Sequence, residues 1–168
     1  MHSIELTFED STDKAIRSDW TRLAAAGVPS LAGHTSSSNS PHITLAAGPE
    51  LHLPVTLKDL WQRLPVGIDF SGVQVFGART GMYVLARSIV VTRPLLELHR
   101  LLHEEISGAL PLTRPGAWTP HVTLARRVSG HQLGTALDLL DLRMEGVCTR
   151  ARLWDSGTRT LTPLAEPT

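Results

Sequence analysis

A six-residue segment, Pro41-His42-Ile43-Thr44-Leu45-Ala46, returns as Pro120-His121-Val122-Thr123-Leu124-Ala125. Five of the six positions are identical, and the sixth exchanges Ile for Val. The copies lie 79 residues apart (121 − 42) in a chain of 168. Each follows a turn-rich loop, Gly33–Pro41 or Pro111–Pro120, and each precedes a turn and a helical pattern. A repeated segment in a repeated context predicts duplicated halves that use it in the same way.

The segment reads as a strand, and side chains in a strand alternate between faces. His42 and Thr44 therefore share one face, and Ile43 and Leu45 the other. His121 and Thr123 are likewise set against Val122 and Leu124. The proline before each histidine fits a strand start, where no ladder donor is needed. Each half thus offers an imidazole and a hydroxyl to one side and apolar groups to the core.

The remaining pattern builds a sheet around these strands. Ile4–Phe8 alternates and reads as a strand. A helix follows, with Ser11 or Thr12 as its cap and Ile16, Trp20, Leu23 and Ala24 at helical spacing, until Gly27 and Pro29. Leu57–Leu64 reads as a short helix. Phe70–Phe76 and Met82–Val91 read as a hairpin through Gly77–Gly81. Pro94 opens a helix with an apolar stripe of Leu95, Leu98, Leu101, Leu102 and Ile106. Leu133–Leu142 is helical, and 146–154 and 158–164 read as closing strands. The class is α+β or α/β, with no linker between independent domains.

Composition narrows the setting. Apolar residues are 42% of the chain, enough for a core, and no apolar run approaches a membrane span. The start, Met1-His2-Ser3-Ile4-Glu5, is not a signal peptide, and Cys148 is the only cysteine, so a reducing cytoplasm is the expected location. Basic and acidic side chains balance at 16 each, which argues against coating duplex DNA and leaves room for a local anion pocket.

Two converging imidazole–hydroxyl faces have a specific chemical capacity. Imidazole titrates near pH ~6.5, so one ring can take a proton while the other gives one. Threonine hydroxyls can donate to non-bridging phosphate oxygens. Together they amount to acid–base phosphoryl chemistry that needs no metal or other cofactor.

These paired His-x-Thr segments resemble those of the two-histidine (2H) phosphoesterase superfamily, which includes 2′-5′ RNA ligase-like proteins and 2′,3′-cyclic nucleotide phosphodiesterases. The resemblance covers nearly the whole chain. It implies an α+β fold of two pseudo-symmetric β-α-β lobes, with antiparallel-rich sheets facing a central cleft, as a single bilobal domain over 1–168. It implies that His42 and His121 are the acid–base pair and that Thr44 and Thr123 bind phosphate. The implied substrate is a nucleotide or RNA end carrying a 2′,3′-cyclic phosphate or a 2′-5′ linkage. The Ser-rich first loop favours small-substrate hydrolysis over ligation. A non-catalytic module that binds a nucleotide in the same cleft is the reading from another class.

Other residues are candidates around that cleft. By simple alternation Arg127 faces with His121 and Thr123, and Arg126 faces away unless the strand bulges. Trp118 is a candidate to stack a base, and Tyr83 and Arg87 to line the cleft. His99 and His103 lie one helical turn apart. They suggest a metal site, although solvated helix-face histidines fit better because no third ligand is evident. His2, His34, His52 and His131 read as surface residues.

Overall fold

The structure, a computed structural model, describes residues 1–34, 36 and 38–166; Thr35 and Ser37 of the first loop fall outside them. Its elements are β1 (His2–Phe8), α1 (Asp10–Ala25), β2 (Ile43–Gly48), β3 (Val66–Arg79), β4 (Met82–Ile89), α2 (Arg93–Glu105), β5 (His121–Val128), α3 (Gly130–Leu139), β6 (Arg143–Asp155) and β7 (Thr160–Ala165). Among the described residues, no helix is long and apolar enough to cross a membrane.

All strand pairings are antiparallel, in the order β2-β1-β6-β3-β4-β5, with β7 beside β6. That order is symmetric about the β6–β3 pair. The first half of the chain supplies β1, β2 and β3; the second supplies β4, β5 and β6. Each half sends its last strand to the other: β6 pairs with β1, and β3 pairs with β4. The lobes are therefore β2-β1-β6 and β3-β4-β5, joined where Val66–Ser71 meets Arg143–Cys148. The sheet bends so that its end strands, β2 and β5, come within 8 Å of each other at Cα. The two His-x-Thr segments lie on those ends, which brings their faces together.

The helices bury the stripes that their spacing predicts. Ile16, Trp20 and Leu23 of α1 are buried, as are Leu95, Leu98 and Leu102 of α2. At roughly 1.5–3 kcal/mol for each large apolar side chain, such stripes hold the helices to the sheet. Thr12 does not cap α1. Glu9 stands at the cap position, and the Thr12 hydroxyl accepts from the Val147 N–H at 3.2 Å, tying the helix to β6. The short helix expected over Leu57–Leu64 is a 3₁₀ segment, Val55–Arg63, between Pro54 and Pro65, and it still buries Leu57, Leu60 and Trp61.

The lobes brace each other crosswise. The chain leaving α1 runs along β5, with a bridge between Ser30 and Ala125. The chain leaving α2 runs along β2, where the Leu110 N–H donates to the Ala47 carbonyl at 2.7 Å. The second approach is close: a Cβ on Gly48 would stand 2.2 Å from the Gly108 carbonyl oxygen, so only glycine fits.

Candidate active site

The two histidines are held identically. Nδ1 of His42 is 2.8 Å from the Ser40 carbonyl oxygen, and Nδ1 of His121 is 2.8 Å from that of Thr119. A carbonyl only accepts, so Nδ1 carries the proton and Nε2 is the basic nitrogen of each neutral ring. Thr44 and Thr123 are half-buried, and among the described residues neither hydroxyl has a hydrogen-bond partner. Their backbone carbonyls are occupied by tryptophans: Trp118 Nε1 donates to Thr44 at 2.9 Å, and Trp20 Nε1 donates to Thr123 at 3.2 Å. The rings and hydroxyls are thus free for a ligand while the backbone behind them is pinned.

Both motif strands carry a bulge at the same place. The register slips between Glu5–Thr44 and Ile4–Ala46, leaving Leu45 extra, and between Ala86–Thr123 and Leu85–Ala125, leaving Leu124 extra. Leucine and alanine both then face the core, and both are fully buried in each copy. The bulge reverses the alternation beyond it. Arg126, not Arg127, shares the face of His121 and Thr123, and it lines the pocket beside His42. Arg127 sits in a second irregularity with φ 59, exposed and outside the cleft.

Three further candidates lie elsewhere. Tyr83 pairs with Val128 and Arg87 with Val122, so both share the core-side face of β4 and point away from the histidines. Arg87 is 1% exposed and binds Asp19 of α1 at 2.7 Å, with its Nη1 donating to the Asp141 carbonyl at 2.7 Å. Trp118 has its N–H committed to Thr44 and one face stacked on His99 at 3.9 Å, so it acts as a brace between α2 and β2. His99 is fully buried and His103 half-buried: Nε2 of His99 donates to the Thr113 carbonyl at 2.8 Å, and that of His103 to the Leu45 carbonyl at 3.1 Å. Burial pushes His99 down to about 4. Among the described residues, no group of three or more His, Cys, Asp or Glu is placed to hold a metal ion.

The floor of the cleft is asymmetric. Opposite Thr44 stands Glu5, and opposite Glu5 stands Arg152; the matching positions in the other lobe are Ala86 and Gln74. Glu5 is 3% exposed and holds Arg152 at 2.8 Å, and its other oxygen is 3.6 Å from His42 Nε2. Arg152 also donates to the Ser40 hydroxyl, just before His42. Across the cleft, Phe76 packs against the His121 ring at 4.7 Å between centroids. Burial lowers the His121 pKa, and the charges of His42 and Arg126 lower it further.

Beside His42 opens a pocket of about 450 Å³, lined by His34, Arg126, Arg152, Trp154 and Arg159 among others. A groove of similar size between α1 and the β3–β6 seam carries Glu9, Asp69 and Glu145 with no cation, which makes it unsuited to phosphate. Glu5, Arg152, Phe76, Trp154 and Arg159 escaped the sequence reading because their role depends on which strands pair. The one local signal was Glu5, a carboxylate in the middle of a strand segment.

Two pseudo-symmetric lobes that bring paired His-x-Thr faces to one cleft define a 2H phosphoesterase. The chain belongs to the 2′-5′ RNA ligase superfamily, whose family model matches residues 12–159. Among solved structures, it resembles Usb1 of Kluyveromyces marxianus bound to uridine monophosphate, with TM-score 0.51 and 13% identity over 98% of this chain and 97% of that one. Escherichia coli LigT complexed with 3′-AMP aligns with TM-score 0.49 and 17% identity over 96% and 92% of the two chains. No curated protein sequence matches. Membership makes the protein an enzyme of the phosphodiester-processing type.

Proposed function

We propose that this protein hydrolyses 2′,3′-cyclic phosphates or 2′-5′ phosphodiesters at nucleotide or RNA ends, through the two histidines as acid and base. The observation that carries this reading is the matched pair of rings, each with Nδ1 bonded to the carbonyl two residues earlier and Nε2 left as the working nitrogen. The whole chain acts as one bilobal unit, because each lobe supplies one half of the pair.

The asymmetric floor supports one division of roles. His121 is half-buried beside Phe76 and has its pKa lowered, which favours its neutral form, and it serves as base. His42 has the Glu5 carboxylate at 3.6 Å as a counter-ion for its protonated form, and serves as acid. His121 Nε2 takes a proton from water as the water oxygen attacks phosphorus. The bond from phosphorus to the ribose oxygen breaks, and His42 Nε2 protonates that oxygen. The product is a phosphomonoester with a free neighbouring hydroxyl. Thr44 and Thr123 donate to the non-bridging oxygens, and Arg126 offsets their charge. The single cysteine, Cys148, is buried and unpaired, which suits a reducing cytoplasm.

Incubation with 2′,3′-cyclic nucleotides and 2′-5′ dinucleotides in EDTA tests the proposal. Release of phosphomonoester is expected. Tight binding without product over a long incubation would instead indicate a nucleotide-binding module.

A further inference from the structure

The reacting phosphate needs only the two His-x-Thr faces and Arg126, yet the pocket beside His42 continues past them. Its lining includes Arg159, from the turn between β6 and β7, and His34, which follows a 3₁₀ turn over Leu31–Gly33. Among the described residues, neither side chain has an ion pair or a hydrogen bond. Arg152, by contrast, is neutralised by Glu5. In a chain with formal net charge +0, five cationic or titratable basic side chains here face one carboxylate, which is local enrichment for an anion.

The turn that carries Arg159 is built to hold it. Asp155 accepts from the Gly157 N–H at 2.8 Å and from the Thr158 hydroxyl at 2.7 Å, and the Ser156 N–H donates to the Met1 carbonyl at 2.9 Å. Arg159 itself has φ 57, a left-handed conformation that a non-glycine residue adopts at a cost. That conformation delivers its side chain to the pocket.

We propose that Arg159 and His34 bind a second phosphate of the substrate, one attached to the ribose of the reacting nucleotide. This rests on the phosphodiesterase reading above. The second phosphate is either a terminal 5′-phosphate or the next phosphodiester of an RNA strand.

Three substrates separate the possibilities: a nucleoside 2′,3′-cyclic phosphate, its 5′-phosphorylated form, and a dinucleotide ending in the same cyclic phosphate. The wild-type kcat/KM for at least one extended substrate is expected to exceed that for the plain one by about tenfold, and Arg159→Gln should bring that ratio toward one. An advantage in the dinucleotide alone identifies an RNA strand as the source, and one in the 5′-phosphorylated form alone identifies a terminal phosphate. Binding of adenosine 3′,5′-bisphosphate against adenosine 3′-monophosphate gives the same ratio without turnover, so a failure of catalysis is distinguishable from a failure of the subsite. Equal values for plain and extended ligands in the wild type, or a ratio unmoved in Arg159→Gln, would overturn the proposal.

Discussion

Glu5 Oε1 lies 3.6 Å from His42 Nε2, and the position that matches Glu5 in the other lobe is Ala86. The cleft is therefore symmetric in its histidines and asymmetric in what stands behind them. Glu5→Gln removes the anion beside His42 and should lower kcat/KM for a 2′,3′-cyclic nucleotide by about tenfold. The acidic limb of the pH–rate profile, set by His121, should lie below the ordinary imidazole value of ~6.5. Wild-type kcat/KM in Glu5→Gln would separate the carboxylate from the chemistry of His42.

The bulge after Thr123 separates two adjacent arginines. Arg126→Ala should lower kcat/KM by about ten- to a hundredfold, because a charge-assisted contact to phosphate is lost. Arg127→Gly should change kcat/KM by less than about twofold and leave stability equal or higher, since glycine accepts φ 59 without strain. A larger loss in Arg127→Gly than in Arg126→Ala would mean that the strand alternates without the bulge.

The Arg87–Asp19 pair is structural. Removing one partner leaves a buried charge without compensation, so Asp19→Asn should cost about 3 kcal/mol in denaturant unfolding. Paired replacement by apolar residues of similar volume should cost less. An Asp19→Asn protein as stable as the wild type would contradict the burial of this pair.

His99 makes stability depend on acid. Its pKa is about 4 in the folded protein against ~6.5 in an unfolded chain, so the unfolded state takes up the proton first. The contribution is full above pH ~6.5, declines as pH falls toward 4, and levels off below. Between pH 7 and pH 5 the loss should be about 2 kcal/mol by urea titration, with the half-buried His103 and His121 adding in the same direction. A stability that rises over this interval would contradict the buried, neutral state of His99.

Much of this was legible locally. The repeat placed His42, Thr44, His121 and Thr123 on strand faces, and the leucine stripe of α2 marked its buried side. What could not be read depends on pairing between distant strands. Leu45 and Leu124 look like ordinary alternating residues, and only their partners on β1 and β4 reveal that each is extra. That one-residue slip is why Arg127 looked like the cleft residue. Arg87 and Tyr83 likewise looked available until β5 showed them opposite Val122 and Val128. His99 and His103 looked solvated because the strand and loop that cover them come from elsewhere in the chain. Glu5 gained meaning only when β6, the strand contributed by the second half, brought Arg152 beside it.

The central claim is that His42 and His121 act as one acid–base unit. The most direct test is kcat/KM for a 2′,3′-cyclic nucleotide in EDTA, for His42→Asn, His121→Asn and the double variant. Each single variant should lose about two to four orders of magnitude, and the double variant should be no more than about tenfold worse than the weaker single. Wild-type turnover in both single variants would contradict the account.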